Sequence, residues 1–228
     1  MNPDNKIDFS MILASSVHDM KNSLGMLLNT LEDVFSQLPP ELANQPQFAT
    51  LQYEAERVNN DLIQLLGLYR LQNQELAPRV DEQYIHDFLE EQAARYEFLL
   101  RSRDIELEID CEPDLIGYFD RELVAGILNN VLANAARYTK DKLILRATQD
   151  DPWLTIELED NGRGYPENML TAPGEILKGI SFSTGSTSLG LYFSSNVAAL
   201  HQQGDNKGHI ELANGGSLGG GVFRICLP

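Results

Sequence analysis

Between Leu13 and Gln74 the chain carries two heptad seams separated by a proline-rich break, and few folds can use that pattern. From Leu13 the apolar residues Val17, Met20, Leu24, Leu27, Leu31, Val34 and Leu38 follow at alternating steps of four and three, the period of a long helix with one apolar stripe. The segment Pro39 to Pro46 is rich in proline, which fixes φ and removes backbone donors, so the helix stops there. A second seam of Leu51, Ala55, Val58, Leu62, Leu65 and Tyr69 repeats the spacing up to about Gln74. Two such helices predict an antiparallel hairpin. Ile12, Leu28, Phe35, Ile63 and Leu66 lie beside the seams and would be wet in a monomer, so two hairpins are expected to pair into a homodimeric four-helix bundle.

After a linker around Ala77 and Pro78 the pattern changes to mixed helix and strand. Tyr84, Ile85, Phe88, Leu89, Tyr96 and Leu99 fit an amphipathic helix, and Ile105 to Asp110 alternates as a strand does. Leu123 to Tyr138 reads as a helix, and Lys142 to Thr148 with Trp153 to Glu159 reads as a hairpin turning at Asp150, Asp151 and Pro152. A helix near Leu189 to His201 and strands near His209 to Ala213 and Val222 to Leu227 complete an α/β sandwich. The expected fold class is α+β, with one domain over residues 1–76 and a second over 77–228. Residues 165–188 have no sustained period and suggest a lid.

Charge limits the partners. The formal net charge is -17, from 34 acidic and 17 basic residues, so direct nucleic-acid binding is not expected. No apolar run approaches the roughly 18 residues of a spanning helix, and Met1 to Asp8 does not resemble a signal peptide, so the expectation is a cytoplasmic chain without a membrane span. Cys111 and Cys226 stand far apart without any CxxC or Cys/His ligand spacing, which indicates neither a disulfide framework nor a structural zinc site.

Four segments carry candidate chemistry. His18-Asp19-Met20-Lys21-Asn22 places an imidazole one residue past the seam, where one ring nitrogen can attack phosphorus while the Asp19 carboxylate orients the other. Asn129 to Tyr138 sets Asn130 and Asn134 on one helical face, with Arg137 and Tyr138 one turn on; such amides can help hold Mg²⁺ and a guanidinium can pair with phosphate. Asp160-Asn161-Gly162-Arg163-Gly164 follows a strand and joins a carboxylate to a tight glycine turn. Ser186-Thr187-Ser188-Leu189-Gly190-Leu191 opens a helix whose first amides attract phosphate. Each segment also has a plain structural reading: a surface ion pair, a solvated helix face, a turn and an N-cap. His86, His201 and His209 have no motif partners and are expected to be surface or helix-end residues without a role.

In this order and spacing the four segments resemble the sensor histidine kinases: an H-box at HDMKNS, an N-box at NNVLANAARYT, a G1 box at DNGRG and a G2 box at STSLGL. The closing NGGSLGGGVFRICLP resembles the family's last glycine-rich turn and strand, and the likeness runs from about Met11 to Pro228. It implies a dimerisation and histidine phosphotransfer hairpin followed by a Bergerat-type ATP-binding domain. By that resemblance His18 is the phosphoacceptor, Asp19 its helper, and Asn22 a residue that positions water for dephosphorylating a response regulator. Asn134, supported by Asn130, would hold Mg²⁺, Arg137 would meet phosphate, Tyr138 would lie near the nucleotide, and Asp160 would recognise adenine. Gly162, Gly164, Leu189 and Gly190 would shape the ATP pocket. Two departures stand out: Ser23 replaces the proline often found after the H-box, and Ser186 and Ser188 stand where the G2 box commonly has glycine, which puts tight ATP binding in question.

The leading expectation is a kinase that phosphorylates His18 from ATP, passes the group to a receiver-domain aspartate of a response regulator, and also dephosphorylates it. The alternative is a phosphotransfer protein or pseudokinase with a degenerate nucleotide domain. An ATP-driven conformational machine or anti-sigma-type serine kinase ranks third, because it leaves HDMKN unexplained. No sensor region is read in these 228 residues, and the input could lie in a separate protein, in residues outside this sequence or in the bundle itself.

Overall fold

The computed structural model describes residues 9–37, 46–170 and 187–228. Of the expected break from Pro39 to Pro46, residues 39–45 lie outside the described residues, as do most of the expected lid and Ser186. Contacts divide the chain into two compact units, Met1–Leu76 and Ala77–Pro228.

The first unit holds helix α1 (Phe9–Gln37) and helix α2 (Pro46–Gln72), which pack on one another. A helix of 27 residues is about 40 Å long, whereas the eight residues from 38 to 45 reach at most about 30 Å, so the chain cannot return to the start of α1 and the pair is antiparallel. α1 runs unbroken through Ser23. Val17, Tyr53 and Ala55 are buried in the hairpin. Surface left wet differs from expectation, because it is not confined to flanking residues such as Ile63. Met20, Leu27 and Val34 on α1, and Leu51, Val58 and Leu65 on α2, are seam residues and lie between 38% and 57% exposed. Each set recurs every seven residues: one neighbouring helix covers only half of an a/d stripe, and the other half faces outward.

The second unit is a sandwich. Strand β1 (Asp81–Tyr84) leads into helix α3 (Ile85–Ala94) and the short helix α4 (Glu97–Ser102), so the predicted single helix breaks at Arg95 and Tyr96. Strands β2 (Glu106–Asp110) and β3 (Ile116–Phe119) precede helix α5 (Arg121–Tyr138). Next come the hairpin β4 (Lys142–Asp150) and β5 (Trp153–Asp160), a short helix α6 (Glu167–Leu170) and helix α7 (Thr187–Leu200). The chain closes with β6 (Gln202–Gln203), β7 (Asn206–Lys207), β8 (His209–Gly215) and β9 (Gly220–Leu227).

The main sheet has the order β2-β4-β5-β9-β8; β2 and β4 are parallel, joined by a crossover through α5, and the other neighbours are antiparallel. Leu143, Leu145, Leu154, Ile156, Leu158, Phe223, Ile225 and Leu227 are buried and alternate along β4, β5 and β9, pointing to the face covered by α3, α5 and α7. Phe88 and Phe119 meet edge to face at 5.1 Å; a fully buried side chain of this kind contributes about 1.5–3 kcal/mol.

The opposite face carries charges in register. Asp110, Arg146, Glu157, Arg224 and Glu211 sit directly across from one another on the five successive strands, alternating in sign. Arg146 bonds Asp110 at 2.7 Å and Glu157 at 2.9 Å, and Arg224 bridges Glu157 to Glu211. A one-residue slip would oppose these charges to the apolar face of a neighbour, so the row reinforces the register. Buried Glu159 also accepts from Arg146 at 2.9 Å, and its other oxygen accepts from Ser217 N at 2.7 Å. Burial works against its charge, yet the bonds from Ser217 and Arg146 win and hold its carboxyl down to about 2. Among the described residues no helix is long and apolar enough to cross a membrane.

Candidate functional site

Helix α5 starts where Asp120 caps it, accepting from Leu123 N at 3.0 Å and from Arg79 N at 2.7 Å. The Asp120 N–H donates to Nε2 of His201 at 3.0 Å, and Nδ1 of His201 lies 3.1 Å from Val197 O. A neutral ring with its proton on Nδ1 meets both partners. His201 does stand just past the end of α7, but the surface reading is corrected: it is 2% exposed and ties α7 to the start of α5. Burial pushes its pKa down from the usual histidine value.

Along α5, Asn130 and Asn134 share the face turned to α7. Asn134 donates its amide nitrogen to Asn130 Oδ1 at 3.4 Å, which directs its own carboxamide oxygen away from that bond. Asn130 is buried, with Nδ2 3.5 Å from Ser194 Oγ on α7. Gly190 makes this approach possible, since a Cβ there would stand 2.6 Å from Asn130 Cγ. The expected N-box and G2 glycine therefore meet, and Leu189 lies beside them, half-buried.

The end of α5 meets the turn after β5. Arg137 and Arg163 each lie over the half-exposed Tyr138 ring, at 5.4 Å and 5.3 Å, which concentrates positive charge in an otherwise acidic chain. Gly162 packs against the Tyr138 carbonyl, whose carbon would be 3.0 Å from an added Cβ. Asp160 closes β5; its Oδ1 accepts from Gly162 N at 2.7 Å. On β9, Gly220 and Gly221 would place a Cβ 2.5 Å from Asp160 Oδ1 and 2.6 Å from Oδ2 respectively, so the two glycines keep the space around that carboxylate open. That open cradle fits a ligand with an exocyclic amine, and the outward Asn134 oxygen fits a hard cation such as Mg²⁺. Gly164, at φ +75°, turns the chain so that Tyr165 N donates to Asn214 Oδ1 at 2.6 Å. Burial and the nearby Asp160 carboxylate push the Tyr165 phenol up.

Sequence reasoning gave Asn161 no task. Its Oδ1 accepts from Lys140, Asp141 and Lys142 backbone N–H groups at 3.1–3.2 Å and lies 2.8 Å from the Thr139 hydroxyl. This one side chain locks the turn leaving α5 onto the turn leaving β5. An Asn beside an Asp in a DNG turn carries no signal of such a clasp.

In the helical unit, His18 is half-exposed on α1. Its Nδ1 lies 3.7 Å from Asp19 Oδ1 and 3.3 Å from the Asn22 side-chain amide. The Asn22 amide is placed to donate to Nδ1, and the Asp19 carboxylate lies just beyond hydrogen-bond reach of the same nitrogen.

Residues 119–228 match the model of the family described as histidine kinase-, DNA gyrase B-, and HSP90-like ATPase. The sensor-like histidine kinase SenX3 of Mycobacterium tuberculosis is 24% identical over 222 residues, which cover 95% of this chain and 53% of that protein. The chain therefore spans about half the length of this relative. Among solved structures, histidine kinase AdeS of Acinetobacter baumannii superposes with a TM-score of 0.61 at 19% identity, covering 92% of this chain and 96% of its own. Full-length ShkA, solved in complex with AMPPNP, gives 0.64 at 20% identity over 96% of this chain and 45% of its own.

Proposed function

The C-terminal part of this chain is an ATP-binding domain of the sensor histidine kinase type, and from that premise we propose that the protein phosphorylates its own His18 from ATP and passes the group to a receiver-domain aspartate of a response regulator. The reading is supported by two clusters at α5, Asn130 and Asn134 against Gly190 of α7 and the Asp160–Gly162 turn against Tyr138, in the same chain as an exposed helical histidine flanked by Asp19 and Asn22.

Asp160 accepts the adenine amine in the cradle opened by Gly220 and Gly221. Arg137 neutralises phosphate oxygens, and the Asn134 oxygen, backed by Asn130, is the ligand for Mg²⁺, which would offset charge on the β- and γ-phosphates. For the attack the Asp19 carboxylate closes from 3.7 Å onto Nδ1 of His18 in place of the Asn22 amide, so that the ring proton sits on Nδ1. The Nε2 lone pair forms the bond to the γ-phosphorus, the bond from that phosphorus to the bridging oxygen breaks, and ADP leaves. The phosphoramidate is then attacked by a carboxylate oxygen of the receiver domain, and Asn22 serves the reverse task of orienting water toward the aspartyl phosphate. The outward heptad residues of α1 and α2 form the homodimer. Input comes from a sensor region or a separate sensor protein.

The test is incubation with γ-labelled ATP and Mg²⁺. The label should be labile in acid and stable in base, absent from His18→Gln, and abolished in Asn134→Ala and Asp160→Ala without loss of folding. Acid-stable label, or label on His18→Gln, overturns the proposal and favours a serine kinase, and no label on the parent overturns it in favour of a pseudokinase.

A further inference from the structure

On the face of the sheet opposite the helices, β8 and β9 bring together three side chains that no part of the nucleotide chemistry uses. His209 is the direct cross-strand partner of Cys226, and Glu211 follows two residues along β8, on the same face. The imidazole, carboxylate and thiol donor atoms all lie within 4.8 Å of one another, with His209 Nε2 3.6 Å from Glu211 Oε1. We propose that His209, Glu211 and Cys226 form a binding site for a zinc-like divalent cation, three protein ligands with water as the fourth.

The donor set suits the ion. Thiolate, imidazole and carboxylate together match a borderline cation such as Zn²⁺ and not Mg²⁺ or Ca²⁺, which take oxygen ligands. Tetrahedral bonds of about 2.0–2.3 Å put donors roughly 3.3–3.6 Å apart, so the cluster needs to close by about 1 Å. Torsions of His209 and Glu211, both about half exposed, can supply that movement while the buried Cys226 stays on its strand. The site is also supported from outside. His209 Nδ1 faces the Lys207 carbonyl at 3.4 Å, the arrangement that leaves Nε2 free to bind metal. The Trp153 ring meets the His209 ring edge to face at 5.1 Å, limiting its rotation. Burial and the Glu211 carboxylate push the Cys226 thiol up, only partly offset by the Thr155 hydroxyl bonded to its sulfur and by nearby Arg224, so a bound cation would have to displace the thiol proton; Arg224 also steadies the second Glu211 oxygen at 3.7 Å. Thr155 is five residues from Asp160 along β5, roughly 17 Å, so this site is separate from the nucleotide cradle.

The experiment titrates the full reduced chain with Co²⁺ as a spectroscopic stand-in and then with Zn²⁺, without nucleotide. One equivalent of Co²⁺ should give a thiolate-to-cobalt charge-transfer band in the near ultraviolet and strong tetrahedral bands in the visible, all displaced by one equivalent of Zn²⁺. Cys111→Ser and Asn134→Ala should retain the spectrum. Cys226→Ser should lose the charge-transfer band, and His209→Ala and Glu211→Gln, at exposed positions that do not threaten folding, should weaken Zn²⁺ by tenfold or more. No charge-transfer band in the wild type, a band that follows Cys111 and not Cys226, or unchanged affinity in His209→Ala overturns the proposal. None of these readouts depends on kinase activity.

Discussion

Gly190→Ala probes the contact between α7 and Asn130 in the proposed nucleotide pocket. Gly190 stands in the first turn of α7, and an added Cβ would lie 2.6 Å from Asn130 Cγ, about 1 Å inside ordinary carbon–carbon contact. Asn130 has little room to withdraw, because it is 8% exposed and held between Ser194 and Asn134. Either α7 retreats or the Asn130 side chain rotates and releases Asn134. Overpacking of this kind costs about 1–3 kcal/mol. If the strain falls on the pocket, ATP affinity drops roughly 5- to 150-fold, at about 1.4 kcal/mol per factor of ten. If it falls on the fold, Tm drops by roughly 2–10 °C. Displacement of a fluorescent ATP analogue, run beside calorimetry, separates the two. Gly25→Ala is the control: nothing lies within 4 Å of its added Cβ, so on α1 it should gain up to about 1 kcal/mol of helix propensity and leave ATP binding unchanged. A Gly190→Ala protein with wild-type affinity and wild-type Tm would refute the reasoning.

The chain should be a homodimer by light scattering at tens of micromolar, and Leu27→Asp with Val58→Asp should make it monomeric, since covering each half-exposed apolar side chain contributes about 1 kcal/mol; a monomeric parent removes the bundle. His201 should confer acid sensitivity. Its folded pKa lies below the unfolded value of about 6.5, so the unfolded chain takes up the proton first, and stability is full above that pH and falls as pH drops through the folded pKa. Urea midpoints should therefore decline more between pH 7.5 and 5.5 in the parent than in His201→Gln, and equal declines would remove histidine as the cause.

The two helices of the hairpin were legible because a heptad is a local rule: Val17 to Val34 and Leu51 to Tyr69 repeat at the helical period wherever the chain goes. The same holds for the long strands β4, β5 and β9, where alternation marks the buried face, and for the helix bearing Asn130 and Asn134. The four-residue β1 and β3 escaped notice because Asp81–Tyr84 is polar and Ile116–Phe119 is too short to establish a period. Which half of each seam faces outward depends on where the neighbouring helix lies, a question that spacing along one helix does not address. Tertiary structure alone decided that Gly190 presses on Asn130, that Asn161 clasps the turn after α5, and that His201 is buried as a link between α5 and α7. The same is true of His209 and Cys226: they are 17 positions apart with no ligand spacing, and only the β8–β9 register sets them face to face. Sequence patterns report periodicity within an element, whereas contacts between elements arise from register and packing, which distant residues determine jointly.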